Sequence, residues 1–426
     1  MEFTQRIIGR KVLWRLGVPT IAFMLLSSLD RVNISFAALQ MNGDLGFTPT
    51  QYGFGAGILF LGFLAGQYPS VLLLQRFGMH RWISCCAILW ACCAAGIAFV
   101  QTPIQFYALR VLLGFAEGGL APGIVLYLSQ FATERERATT FALPMLAIPL
   151  SIVVGSPLSG WLMTTAAPLG LAGWRWMLIA EALPTMLLGI AAWFYFPDRA
   201  DEVRWLSDDE RRWLERNAAN RALSDSRNDW RILRQPMVWT AALLWFCLLS
   251  GAYGIMFWLP QMIKQLSNVG TVQIGFVNAL PWIGAMVGTY FNSRHSDRTG
   301  ERFLHISVPA VVAAAAILCA WGLGAGTAGL IMLFIAGLGL GAAQGAFWAL
   351  PTSSLTPSTF AVAAVAINIA GSSGGLVIPH LVGYVRERSG SFAGPTVLIA
   401  CLLLLAAVLV TLIRRMFFAR PALLVE

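Results

Sequence analysis

The sequence predicts an all-α membrane protein: twelve transmembrane helices in two pseudo-symmetric six-helix bundles. Three observations point there. Of 426 residues, 58% are hydrophobic and only 12% charged, about half the charge that a soluble globular domain carries. The apolar residues fall in runs of the length that crosses a bilayer, about 20 residues for a helix. Only one connection is long and polar, roughly Asp198 to Gln235, and it divides the runs six and six.

In chain order the spans are placed at 18–38, 50–74, 82–100, 104–129, 138–166, 175–196, 237–262, 271–292, 304–325, 328–350, 358–384 and 393–417. They are helices because irregular backbone is not tolerated against lipid and the period-2 alternation of a barrel strand is absent. Span 1 carries an acid–base pair, Asp30-Arg31, and span 2 runs out into the basic turn Gln75-Arg76-Phe77-Gly78-Met79-His80-Arg81. Span 3 holds four cysteines among apolar residues. Span 4 contains Arg110 and Glu117 with Gly114, Gly118, Gly119, Pro122 and Gly123, small residues for close packing and a proline to bend the span. Span 6 has Glu181 beside Leu183-Pro184. The stretch from Leu206 to Leu214 in the connection has the pattern of a short amphipathic surface helix with Ser207 as N-cap. Span 8 ends in Asp297-Arg298-Thr299-Gly300-Glu301-Arg302, which lies 222 residues beyond the Gln75 turn. That internal repeat suits two parallel six-helix halves, 1–197 and 236–426, joined by a linker at 198–235. A substrate site at mid-membrane between halves is the usual companion of this layout.

The net charge of +9 reflects loop bias rather than nucleic-acid binding. The loops on the side of the termini hold 23 of the 29 Lys and Arg; the opposite loops hold four: Arg175, Lys264, Arg386 and Arg388. By the positive-inside rule both termini are expected in the cytoplasm, in the bacterial inner membrane. The polar, basic N-terminus lacks the features of a signal peptide. The seven cysteines sit in apolar runs with no His or carboxylate at metal-ligand spacing, so neither a disulfide framework nor a metal is expected. No Gly-x-Ser-x-Gly, His-Glu-x-x-His or Walker sequence offers an enzyme.

Ionisable residues inside spans mark function by default: Asp30, Arg31, Arg110, Glu117 and Glu181, all in the first half. Arg110 and Glu117, seven apart, share one helix face. Asp30 and Arg31 point about 100° apart and need not serve one partner. Two readings stay open: a structural ion-pair cluster pinning spans 1 and 4, or a proton-handling group beside a cavity. Glu181 reads as structural. The second half offers neutral candidates: Tyr253 and Trp258 in span 7, Gln344 and Trp348 in span 10, and Asn368 in span 11.

These motifs resemble the major facilitator superfamily, and within it the anion:cation symporter family of organic-anion/proton symporters. The likeness rests on Leu29-Asp30-Arg31-Val32-Asn33-Ile34, the run from Arg110 to Gly119 into Pro122-Gly123, Gly173-Trp174-Arg175-Trp176 with Glu181-Ala182-Leu183-Pro184, Phe257-Trp258-Leu259-Pro260, the Arg294–Arg302 turn and Phe347-Trp348-Ala349-Leu350-Pro351. The resemblance implies that Arg31 contacts a substrate carboxylate and that Asp30 and Glu117 carry protons, with Arg110 linking them. Asn368, Trp348 and Tyr253 are then substrate contacts, and Arg76, Asp297, Arg298 and Glu181 gating or structural residues. Two positions depart from the family: Gln75 stands where an Asp latch is usual, so the latch must be weaker or supplied elsewhere. Phe63 stands where sugar-acid members place a Tyr, which argues toward a flatter, less polar carboxylate. The expectation is uptake of a small organic carboxylate by proton symport, with the proton as coupling ion, no cofactor, no nucleic-acid partner and a monomer in the bilayer. Alternatives are a proton-coupled exporter of metabolites or drugs and a non-transporting nutrient sensor.

Overall fold

The computed structural model describes residues 8–131, 137–165, 170–198, 202–203, 205–212, 230–267, 269–324 and 326–418. Those residues are almost wholly helical. Eleven helices are long and apolar enough to cross a membrane, and the remaining expected crossing, span 5, is the helix Arg137–Leu162. Most helices overrun their apolar cores. Span 1 continues to Leu45, span 2 covers Pro49–Phe77 and span 11 covers Pro357–Ser389, because backbone hydrogen bonding persists where the chain leaves hydrocarbon. Span 4 is two helices, Pro103–Glu117 and Leu120–Phe131, interrupted at Gly118-Gly119 immediately after the buried acid. Its start is set by a capping box: Thr102 accepts from Gln105 N–H and the Gln105 side chain accepts from Thr102 N–H.

The chain forms two compact units. The first comprises Met1–Asn33, Leu61–Ile152 and Ala166–Ser226; the second comprises Ile34–Phe60, Val153–Thr165 and Arg227–Glu426.

In the first unit, spans 2 and 4 approach until side chains no longer fit between them. A Cβ on Gly62 would lie 2.0 Å from the Val111 carbonyl oxygen, one on Gly66 2.3 Å from that of Phe115, and one on Gly118 2.2 Å from that of Phe63. This is the small-residue packing that membrane helices use when apolar burial gives no net drive. At the end of the unit bearing the Gln75–Arg81 turn, Asp198 caps span 3 (Met79–Ile97): its carboxylate accepts from the His80 backbone N–H at 3.3 Å and pairs with His80 Nδ1 at 2.9 Å. Asp198 also lies against Gly78, whose φ of +83° favours glycine. A carboxylate absent at Gln75 is thus present beside the same turn, delivered from the end of span 6. The expected Ser207 cap is present too. Ser207 Oγ accepts from Glu210 N–H, Glu210 accepts from Ser207 N–H, and Glu210 also pairs with Lys11 at 2.8 Å. The rest of the expected amphipathic helix, residues 213–214, lies outside the described residues.

In the second unit, spans 8 (Thr271–Thr299) and 10 (Thr327–Phe347) meet in the same way. A Cβ on Gly284 would lie 2.2 Å from the Phe334 carbonyl oxygen, one on Gly288 2.0 Å from that of Leu338, and one on Gly341 2.2 Å from that of Ala285. The outer parts of spans 2 and 5 belong to this unit and pack equally closely: Gly53 on the Pro379 carbonyl, Gly57 on Leu376, Gly383 on Pro49, Gly160 on Thr271 and Gly275 on Ser156. Three hydrogen bonds tie these contacts: Asn278 Nδ2–H to Ser156 Oγ (2.8 Å), Tyr52 O–H to the Phe257 carbonyl (2.8 Å) and Trp258 Nε1–H to the Pro379 carbonyl (3.1 Å). The core of spans 7, 9, 10 and 12 is built on Trp245, which stacks on Phe347 at 4.5 Å.

Candidate functional site

The first unit gathers the intramembrane charges into one buried group. Asp30 and Arg31, adjacent on span 1, diverge as helical geometry requires. Asp30 is buried and accepts from Trp90 Nε1–H on span 3 at 2.9 Å and from Asn33 Nδ2–H at 3.3 Å. Arg31 turns the other way, donating from Nε to Glu117 Oε2 at 3.2 Å and from Nη2 to Ser27 Oγ at 3.0 Å. Its guanidinium lies 5.0 Å from the centre of the Phe63 ring. Burial separates the partners of the pair: the Glu117 side chain is 0% exposed, that of Arg31 15%. The arginine therefore has an open flank and the acid has none. Glu117 Oε2 is held by the arginine, and Oε1 is buried beside it. Arg110 is fully buried within electrostatic range of both Asp30 and Glu117, and Glu181 within range of Asp30.

The five acids and arginines singled out in the spans thus converge, Glu181 included. Ser27 and Trp90 complete the group, and neither was singled out from the sequence. Trp90 is an indole among sixteen, and nothing in its neighbours Leu89 and Ala91 marks a buried acceptor sixty residues away. Ser27 lies one turn before Arg31, the helical neighbour spacing, and that spacing was the available signal. Phe63, noted for lacking a hydroxyl, has a positive role as a shelf for the guanidinium.

The second-half candidates are dispersed within their unit. Tyr253 packs edge-on against Phe60 at 4.7 Å. Trp348 is half-buried, at 5.4 Å from Trp245 and 5.3 Å from Phe347, at the joint where span 10 passes into the short helix Ala349–Ser354. Gln344 Nε2–H donates to the Leu248 carbonyl at 3.3 Å. Asn368 is exposed at mid-span and makes no hydrogen bond to a described residue. Of the gating candidates, Asp297 pairs with Arg302 at 2.7 Å, Arg298 is exposed, and Arg76 lies over the Phe77 ring. Glu301 caps span 9 (Leu304–Leu323) through the backbone N–H groups of Leu304 and His305, and His305 contacts both Glu301 (2.8 Å) and His295 (2.7 Å). No cluster of three or more metal-ligating side chains occurs among the described residues.

Two six-span sets with glycine-sealed helix pairs and a charged group on spans 1 and 4 are an arrangement with known relatives. A profile of the Major Facilitator Superfamily matches residues 20–379. The chain belongs to that superfamily. It is therefore a membrane transporter and not an enzyme. A protein of Agrobacterium vitis named "Putative tartrate transporter" is 40% identical over 416 residues, covering 95% of this chain and 91% of the relative. A "Quinolone resistance transporter" of Acinetobacter baumannii is 30% identical over 413 residues, covering 96% and 95%. Among solved structures, a bacterial homologue of the human lysosomal transporter Spinster, in an inward-facing, unoccupied conformation, superposes with a TM-score of 0.79. It is 16% identical, and the match covers 94% of this chain and 96% of that one. That likeness is one of fold.

Proposed function

We propose that this transporter imports a small organic carboxylate together with protons, with Arg31 as the carboxylate anchor and Glu117 and Asp30 as the proton-carrying acids. The observation that carries the reading is the asymmetric Arg31–Glu117 pair: a fully buried acid holding a guanidinium that is open on its other side. While Glu117 is ionised, Arg31 is committed to it. A proton on Glu117 removes the competing charge, and the guanidinium can then take an incoming carboxylate in its place, a charge-assisted and potentially bidentate contact. Ser27 and the Phe63 ring hold the guanidinium in position during the exchange, which limits its conformational entropy cost. Loss of the proton restores the Glu117 pair and expels the anion. Proton and substrate are coupled because they bid for the same side chain. Arg110 supplies a second, permanently buried positive charge that prevents Glu117 and Asp30 from repelling each other unscreened in a medium where charges interact strongly.

Asn368, Trp348 and Tyr253 serve as neutral contacts from the 236–426 half, with Arg76, Asp297 and Arg298 at the basic turns. The name of the Agrobacterium relative favours a hydroxylated dicarboxylate over the flat, less polar acid that Phe63 suggested, since Phe63 is occupied with Arg31. The protein works in the bacterial inner membrane with both termini in the cytoplasm, as its loop charge bias directs.

The direct test is transport in proteoliposomes. Glu117→Gln should abolish accumulation driven by a pH gradient while leaving counterflow measurable, because the variant mimics the protonated acid; continued concentration of substrate would remove Glu117 from the coupling. The name of the Acinetobacter relative favours a second reading, proton-coupled export. Addition of substrate to de-energised cells decides between them: alkalinisation of the medium means that protons enter with the substrate, as in symport, and acidification means that protons leave as substrate enters, as in the reversal of an export exchange.

A further inference from the structure

We infer that the second unit contains a separate anion site for a small carboxylate, at the end opposite the basic turns. A cavity of about 290 Å³ lies there, walled by the ends of spans 1, 2, 7 and 11 and by Phe392. Its charged lining consists of Lys264 and Arg386; no Asp or Glu is among the lining residues, although the exposed Asp44 follows Gly43 at its edge. The loops on this side are poor in cations, four in all, and two of the four converge on this one cavity. Against that bias the convergence is notable in direction: the positive charge is concentrated where an anion arriving from this side meets the protein.

The two cations are largely uncommitted. Lys264 Nζ donates one hydrogen bond, to the Leu39 carbonyl at 2.8 Å, and has three protons to give. Arg386 lies over the Phe392 ring at 4.9 Å, and no described carboxylate is within ion-pair distance of it. The aromatic shelf fixes the guanidinium and leaves its hydrogen-bonding edge unused, the arrangement that Phe63 gives Arg31. A small carboxylate answers both cations with charge-assisted hydrogen bonds, bidentate at the guanidinium. Trp258, held by its bond to Pro379, supplies a rigid apolar wall.

The site also has a conformational meaning. Its walls come from spans 1 and 2 on one side and spans 7 and 11 on the other, so it exists only while these ends are packed together. A bound anion bridges them and stabilises that packed state.

The test uses the full-length protein purified in detergent, with Arg31→Ala as background to silence the proposed transport site. Isothermal titration with sodium L-malate should show a saturable site remaining in the Arg31→Ala protein. Adding Arg386→Gln or Lys264→Gln should weaken it at least tenfold, whereas Arg388→Gln, which lies over Tyr384 outside the cavity, should not. If Arg31→Ala removes all malate binding from protein that remains monodisperse, the outer site is overturned and the role of Arg31 stands. If Arg31→Ala changes nothing and the outer variants remove all binding, the outer site stands and the role of Arg31 fails. A titration with sodium chloride supplies the last arm: chloride competing with malate at equal concentration overturns the carboxylate assignment in favour of an inorganic anion site.

Discussion

The helix pair of spans 2 and 4 in the first unit and that of spans 8 and 10 in the second are one packing solution used twice. Gly284 and Gly288 follow Gly62 and Gly66 by 222 residues, the offset of the two basic turns. Phe334 and Leu338 follow their counterparts Val111 and Phe115 by 223. At each of these points the absence of a Cβ lets a carbonyl approach to nearly the same distance. The chemistry differs completely. Carried across by the same 223 residues, Arg110 falls on Leu333 and Glu117 on Leu340. One copy of the motif buries two charges; the other has leucines in the equivalent places, Leu340 buried and Leu333 half-buried. The comparison separates what the fold needs, the glycines, from what transport needs, the charges.

That separation can be broken by experiment. The largest effect is expected where charge is placed in the copy without a partner for it. Leu340→Glu puts a carboxylate on a buried, uncompensated position and should cost about 3 kcal/mol, visible as a large fall in Tm or in folded yield. The reciprocal Glu117→Leu should leave a folded protein that does not couple to protons, because the released Arg31 retains access to water. If Leu340→Glu folds as well as wild type, the two positions are not equivalent in environment. Next in size are Gly62→Val and Gly284→Val. Each forces side-chain atoms against a carbonyl and should cost about 1–3 kcal/mol or more, and by nearly equal amounts in thermal unfolding. A Tm loss confined to one of them would show that the two pairs are not the same device.

A smaller effect, about 1 kcal/mol, is expected for Trp90→Phe, which keeps the ring but removes the N–H that Asp30 accepts. No such change is available in the second unit, where no buried acid occurs among the described residues. The smallest effect concerns the two capping glutamates outside the membrane. Burial works to raise the pKa of Glu210, but hydrogen bonds from Lys11 and Ser207 win and hold it below the usual carboxylate range. For Glu301 burial is likewise outweighed, by the Leu304 N–H and by His305. With the folded values depressed, their stabilisation is complete above the ordinary Glu value of about 4.3 and is lost as pH falls through the folded values. Amide exchange at Ser207 and Leu304 should accelerate in that acidic window and not near neutrality. Lys11→Met should move the Ser207 transition upward and leave that of Leu304 alone.

The spans were legible because hydrocarbon imposes a length and a composition on any helix that crosses it, and the repeat was legible because both turns keep an Arg-x-Gly core. The five charges were legible because they are out of place among apolar residues. What was not legible depends on side-chain direction. Asp30 and Arg31 could be said to diverge, but nothing in the sequence told which would meet Glu117, since both a guanidinium and a carboxyl reach across spans. Asp198 was hidden at the border of a polar linker, where a carboxylate has no contrast with its surroundings. The shelf that Phe63 offers Arg31 was not legible because its partner, the guanidinium, lies a span away. The interruption of span 4 at Gly118-Gly119 was flagged only as close packing: two glycines signal room for a neighbour and weak helix at the same time, and here they provide both.

The hydrogen bond from Trp90 to Asp30 gives this protein a built-in optical gauge. An indole whose N–H is bonded to a carboxyl group absorbs and emits differently according to whether that group carries a proton, so the ultraviolet difference spectrum between wild type and Trp90→Phe isolates one chromophore out of sixteen. Recorded during a pH titration, and again with cargo present, it would follow the arrival of a proton at a single carboxylate without label or probe.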